Sequence, residues 1–172
     1  VRPTLLLNNL QTCFKINSMF RLLLTVFLLQ FCAPVFADDA NDARAFFEKY
    51  VAAANSYAAD LPGYYISNAK IIRVVEKPDG SKETIVFPAE RYFKQLRMMR
   101  NAARLKGYKN TYTNQTVTPE GSDYKISATR TTKGDNFSVP SYFIIGKDSG
   151  GAWKIKTEYM HTRNQSFLKH KD

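Results

Sequence analysis

The chain has 172 residues, 44% of them hydrophobic, with 25 Lys and Arg against 15 Asp and Glu for a formal charge of +10. The roughly 135 residues that follow position 37 suit one hydrophobic core and are too few for two, and the charge favours anionic over cationic partners. Both cysteines, Cys13 and Cys32, fall in the first 37 residues, so a domain built from the remainder has neither disulfide nor thiolate chemistry.

Met19-Phe20-Arg21 is followed by the apolar run Leu22 to Leu29, then by Gln30 to Ala37 and the acidic pair Asp38-Asp39. A charged start, an apolar middle and a small-residue exit read as a signal peptide over 1–37, with cleavage expected after Ala37. The run from Leu22 to Ala37 is shorter than the roughly 20 residues that span a bilayer and is broken by Gln30 and Pro34, which argues against a permanent anchor. Residues 1–18 make a poor leader, so Met19 reads as the start. The expectation is an exported protein, periplasmic or secreted. From Asp38 onward, 22 basic residues against 15 acidic ones leave a net charge of +7.

Between Asp42 and Leu61 the apolar residues Ala43, Phe46, Phe47, Tyr50, Val51, Ala54, Tyr57, Ala58 and Leu61 recur at three- and four-residue steps. That spacing predicts an amphipathic helix, stopped by Pro62-Gly63. Ile71 to Lys77 and Glu83 to Phe87 are β-rich and joined by Pro78-Asp79-Gly80-Ser81, which predicts a hairpin. Pro88 opens a second helix that is expected to end at Lys106, before Gly107. Four more β-rich runs follow, at 111–118, 124–132, 139–146 and 152–161, each joined to the next by turn residues, so antiparallel neighbours are expected. The tail 162–172 reads as polar, basic and frayed.

Helix, hairpin, helix and four-stranded antiparallel meander describe an α+β domain over 38–161, with helices covering one face of a curved, cone-like sheet. The layout resembles the nuclear-transport-factor-2-like superfamily from Asp42 to Met160. The local cues are the aromatic-rich first helix, the entry Tyr64-Tyr65-Ile66-Ser67-Asn68-Ala69-Lys70-Ile71, and the final strand opening at Gly150-Gly151-Ala152-Trp153-Lys154-Ile155. The resemblance implies a pocket inside the cone and pairing into homodimers. It leaves function open, because the superfamily includes ketosteroid isomerases, dehydratases, polyketide cyclases and members without chemistry.

Strict alternation along the last strand places Trp153, Ile155, Thr157, Tyr159 and His161 on the inner face and Glu158 outside, as a surface charge paired across strands with lysine or arginine, with a general base as the lesser alternative. Tyr124, Ile126, Ala128 and Arg130 share one face of another strand. Arg130, Tyr159 and His161, with Tyr57 from the first helix, are therefore the candidate ligand-binding residues, suited to a small polar or anionic ligand. The bland reading is that Arg130 and His161 reach solvent near strand ends and that Tyr57 is core. On the second helix, Tyr92, Leu96, Met99 and Ala103 form the expected buried stripe. Lys94, Arg97, Arg100 and Arg104 form a basic ridge that is either a solvated face or a docking surface for an acidic envelope partner, anionic lipid or cell-surface polymer.

No catalytic motif appears, and two histidines without paired carboxylates give no metal signature, so no cofactor or metal is expected. Nucleic acid is not an expected partner for an exported protein. The leading expectation is a non-enzymatic binding module. The alternative is a small lyase or isomerase, which needs an inward carboxylate or histidine beside a tyrosine.

Overall fold

A computed structural model describes residues 34–134 and 137–170. The signal peptide read over 1–37, and the leader 1–18 within it, fall almost wholly outside the described residues. The chain divides into two units at Asp39/Ala40, and the second carries the fold. The first contributes only the opening turns of helix α1 (Pro34–Asn55) to the description.

After α1 a 3-10 turn, Leu61–Tyr64, leads into β1 (Tyr65–Glu76) and β2 (Lys82–Phe87), followed by α2 (Ala89–Leu105). Then come β3 (Asn110–Glu120), β4 (Asp123–Thr132), β5 (Ser138–Lys147) and β6 (Trp153–Thr162), and a closing 3-10 turn, Gln165–His170. The strands form one curved six-stranded sheet in the order β2-β1-β6-β5-β4-β3. The expected four-stranded meander is thus only part of the sheet. The hairpin joins it through a parallel pairing of β1 with β6, in which Ile72 stands opposite Tyr159. The two 3-10 turns also add to the expected order of helices.

Local chemistry sets the boundaries. In the hairpin, Lys77 and Ser81 bond through their backbones while Gly80 takes φ 82°, a left-handed value that favours glycine. Helix α2 closes with Tyr108 N–H donating to Ala103 and Gly107 N–H to Arg104, with Gly107 left-handed at φ 61°. That is a Schellman close with glycine in its usual place. Helix α1 closes by the same two bonds, from Ala58 to Ala53 and from Tyr57 to Ala54, but the left-handed residue is Tyr57, also at φ 61°. The helix therefore ends at Asn55, six residues before the expected Leu61, without a glycine to announce it.

The core lies between α1 and the inner face of the sheet. Phe47 is fully buried, 4.8 Å from Phe143 and 5.3 Å from Tyr112 between ring centroids, and Tyr50 meets Tyr65 edge-on at 5.7 Å. Ile71, Val75, Ile126, Ile145 and Ile155 fill the sheet side of the core. Burying each such side chain contributes roughly 1.5–3 kcal/mol. Over its described part, 162–170, the tail is not frayed as expected: Phe167 packs edge-on against Phe87 at 5.4 Å, and Leu168 rests on the core. Two apolar residues among polar ones are enough to fasten it. Among the described residues no helix is long and apolar enough to cross a membrane.

Candidate functional site

The decisive feature is one extra residue in β6. Ile144 pairs with Thr157, yet the next residue of β5, Ile145, pairs with Ile155, so Lys156 has no partner of its own. This β-bulge shifts the side-chain alternation by one position. Ile155 points inward before it, and Glu158 and Met160 point inward after it, all three buried. Thr157, Tyr159 and His161 consequently turn to the other face. Two expectations are thereby corrected: Glu158 is an inner, fully buried residue, and the side chains of Tyr159 and His161 do not join Arg130 inside the cone.

Glu158 sits in a dense polar cluster. Arg73 of β1 pairs with its Oε1 through Nη2, and the Tyr65 hydroxyl donates to Oε2. The Tyr92 hydroxyl, from α2, lies 3.1 Å from Oε1 and 3.4 Å from Oε2. Because the Tyr65 proton is committed to Glu158, Tyr50 must be the donor in the 2.7 Å bond between the two phenols. Burial first and the Glu158 charge second push Tyr50, Tyr65, Tyr92 and Tyr112 well above the usual phenol value, so all four stay protonated. For Arg73 burial pulls the other way, but the neighbouring carboxylate outweighs it and the guanidinium stays charged.

A cavity of about 790 Å³ opens beside this cluster. Its walls include Tyr50, Tyr57, Leu61, Tyr92, Leu96, Tyr112, Arg130 and Met160, and Glu158 and Arg73 lie at its floor. Arg130 is where the alternation of β4 places it, since Tyr124, Ile126, Ala128, Arg130 and Thr132 are all buried on one face. Its side chain is only 8% exposed. Nη1 donates to Asn110 Oδ1 at 3.0 Å and to Thr132 Oγ1 at 3.1 Å, with Tyr108 at 3.3 Å, and Nη2 reaches the His161 carbonyl at 3.4 Å. Every one of these acceptors is uncharged. Among the described residues no carboxylate pairs with Arg130, and its buried Nε has no hydrogen-bond partner.

Tyr57, on the same cavity wall, also has a buried hydroxyl without a partner. Asn55, two residues before it, exchanges two 2.9 Å bonds with the backbone of Asn110, whose side chain accepts from Arg130. The end of α1 and the Arg130 guanidinium are therefore held to one frame.

On the outer face Tyr159 stacks on Tyr142 at 4.5 Å and 13°, with the Lys125 ammonium 4.4 Å from the Tyr142 ring. The Tyr159 hydroxyl is 2.8 Å from His161 Nε2. Burial and Lys82 hold the His161 imidazole below its ordinary value.

Lys94, Arg97, Arg100 and Arg104 are exposed on α2, and Arg97 and Arg100 also border the cavity mouth. Met99 departs from the expected buried stripe: it is 54% exposed, on the rim of the cavity, while Tyr92, Leu96 and Ala103 are half-buried.

The fold has solved counterparts. A structure from Novosphingobium aromaticivorans, described as nuclear-transport-factor-2-like with a cystatin-like fold, superposes with a TM-score of 0.54. It is 15% identical over 76% of this chain and 85% of that one. The fold is nuclear-transport-factor-2-like. A candidate dehydratase of that family from Streptomyces avermitilis gives a TM-score of 0.55 at 10% identity, over 73% of this chain and 96% of that one. A candidate ketosteroid isomerase from Shewanella frigidimarina gives 0.50 at 17% identity, over 69% and 93%. No protein-family model and no curated protein matches the sequence. At these identities the nuclear-transport-factor-2-like likeness carries the fold, and the function has to be argued from the side chains.

Sequence reasoning missed Arg73, Tyr65 and Tyr92 as parts of the site and placed Glu158 on the wrong face. One signal was available: Arg73 interrupts the apolar run Ile71-Ile72-Arg73-Val74-Val75, and a charge inside such a strand needs a buried partner.

Proposed function

We propose that this chain is an exported binding protein whose cone holds a small anion with an apolar body, and that it does no chemistry on it. The observation that carries the reading is Arg130: a buried guanidinium without a counter-charge, with a free Nε, in the wall of a ligand-sized cavity. Burying an ion costs several kcal/mol unless an opposite charge offsets it. A bound carboxylate, sulfate or phosphate group in the cavity would supply that charge.

The wider lining agrees in sign. Arg97, Arg100, Lys106 and Lys133 also line the cavity, and among the described residues the single acidic side chain of the lining, Glu158, is already bound to Arg73. The tyrosine rings and Leu61, Leu96 and Met160 supply the apolar walls, in a volume within the roughly 300–1,000 Å³ of small-molecule sites.

Calorimetric titration with a panel of aliphatic and aromatic carboxylates, sulfates and phosphates, beside neutral and cationic analogues, tests the reading. Anions should bind, and Arg130→Gln should weaken them at least about tenfold, the loss of one charge-assisted contact. Binding that prefers neutral or cationic compounds, or that is unaffected by Arg130→Gln, would overturn it. The export step rests on the pattern of residues 19–37, and a mature N-terminus far from Asp38 would count against it.

Glu158 favours one competing reading, because an inward carboxylate beside tyrosines is what acid–base isomerisation or dehydration requires. Against it, the fully buried carboxylate already receives three hydrogens, one each from Arg73, Tyr65 and Tyr92, whose single proton lies between the two oxygens. A general base needs a free lone pair facing its substrate. Deuterium exchange at carbon in bound carbonyl compounds, lost in Glu158→Gln while ligand affinity persists, would establish the enzyme reading instead.

A further inference from the structure

The exposed face of α2 carries a pattern that a solvated charge run does not need. Lys94, Met98, Asn101 and Leu105 follow one another at four, three and four residues, so they form one stripe along the helix. Tyr92, Leu96 and Ala103 lie on the opposite side, half-buried towards the domain. Met98 is 65% exposed and Leu105 89%. Arg91, Arg97 and Arg104 flank the stripe, Arg100 lies further round, and Glu90, in the first turn, is the only acidic residue of the helix. All five cations of α2 are exposed, and among the described residues none of them makes an ion pair or a side-chain hydrogen bond. Lys106, Tyr108 and Lys109, all exposed, extend the same mixture beyond the helix end.

We infer that this face docks on an anionic lipid bilayer. A surface kept only for solubility would not set a leucine and a methionine at the centre of its cations, where they cost solvation and gain no packing. A bilayer interface rewards both parts at once. The apolar side chains enter the boundary between headgroups and acyl chains, and the long basic side chains reach up to the phosphates. Long-range attraction from the cations precedes insertion and weakens with salt. Because Arg97 and Arg100 also border the cone, docking sets the cavity mouth close to the headgroups. The inference does not depend on what the cone holds.

Flotation of the full chain with phosphatidylcholine vesicles, with and without phosphatidylglycerol, provides the test. The readout is the phosphatidylglycerol-dependent part of the binding, since attachment through residues 22–29 would be common to both vesicle types and to every variant. That part should be present, should fall with salt, and should drop about tenfold or more in Met98→Ser with Leu105→Ser. Arg97→Glu with Arg104→Glu should reduce it as much. These side chains are exposed, so the unfolding midpoint of each variant should match the parent and exclude misfolding as the cause. No dependence on phosphatidylglycerol would overturn the inference. So would binding that ignores the two serine substitutions, or that soluble polyglutamate removes at equal charge; either result would point to an acidic protein or polymer as the partner.

Discussion

Arg73 and Glu158 form a buried ion pair across the parallel seam between β1 and β6, the one place where the hairpin meets the meander. Neither side chain has solvent to fall back on, so each depends on the other. Glu158→Gln leaves the Arg73 charge buried and should cost about 3–5 kcal/mol of stability in urea unfolding. Adding Arg73→Met removes that charge while the amide carbonyl still accepts from Tyr65. The double variant should therefore recover more than half of the loss, a coupling that a double-mutant cycle measures directly. Additive losses would mean that the pair is not a unit.

Tyr57 combines two costs that a merely structural residue would avoid. It holds a left-handed backbone where glycine is usual, at about 1–2 kcal/mol, and it buries a hydroxyl without a partner. Tyr57→Phe keeps the ring and deletes the hydroxyl, so the ligand-free domain should be about 1 kcal/mol more stable. If the hydroxyl contacts the bound anion, affinity should fall in the same variant. A gain in stability with unchanged affinity would remove Tyr57 from the site.

What the sequence made legible was periodicity. The Gly107 stop, the Pro78–Ser81 turn and the inward Arg130 all follow from spacing and turn chemistry, and all three are found. What it concealed were breaks in periodicity that no glycine or proline marks. The β6 bulge falls at Lys156, between residues that all suit a strand, so alternation carried past it assigns Tyr159, His161 and Glu158 to the wrong faces. The α1 end falls at Asn55, inside a run of apolar residues that still keeps helical spacing. In both places tertiary packing overrides a local pattern that reads equally well without it.

The bulge is braced from outside by a 2.7 Å ion pair between Lys156 and Asp123, which closes over Gly146 of β5. A Cβ at Gly146 would meet Asp123 Oδ1 at 1.9 Å and Lys156 Nζ at 2.9 Å. Gly146→Ala must therefore displace the Asp123 carboxylate and break the pair. The expected cost is about 1–2 kcal/mol in thermal or urea unfolding, the scale of a small-to-large insertion that side-chain rotation can partly relieve. In an Asp123→Ala background the obstacle is already gone, and the same substitution should cost clearly less. Equal costs in the two backgrounds would place the steric conflict in the backbone instead.

His161 gives the domain a pH dependence whose sign follows from its surroundings. Burial and the nearby Lys82 charge disfavour the imidazolium in the folded protein, so its folded pKa lies below the value of about 6.5 that the unfolded chain keeps. Between the two values the unfolded state binds more protons, and stability rises with pH. The contribution is fully present above about pH 6.5 and is lost as pH falls towards and below the folded value. A neutral ring can accept the Tyr159 hydroxyl proton at Nε2 with its own proton on Nδ1, whereas the imidazolium offers no acceptor and that bond is broken. Urea midpoints measured from pH 7.5 downward should therefore fall more steeply in the parent than in His161→Gln. The titration of His161 should also move towards the unfolded value in Lys82→Gln, which proton NMR of the imidazole reads without reference to any ligand. Parallel midpoint profiles for parent and His161→Gln would show that other groups set the acid limit of the fold.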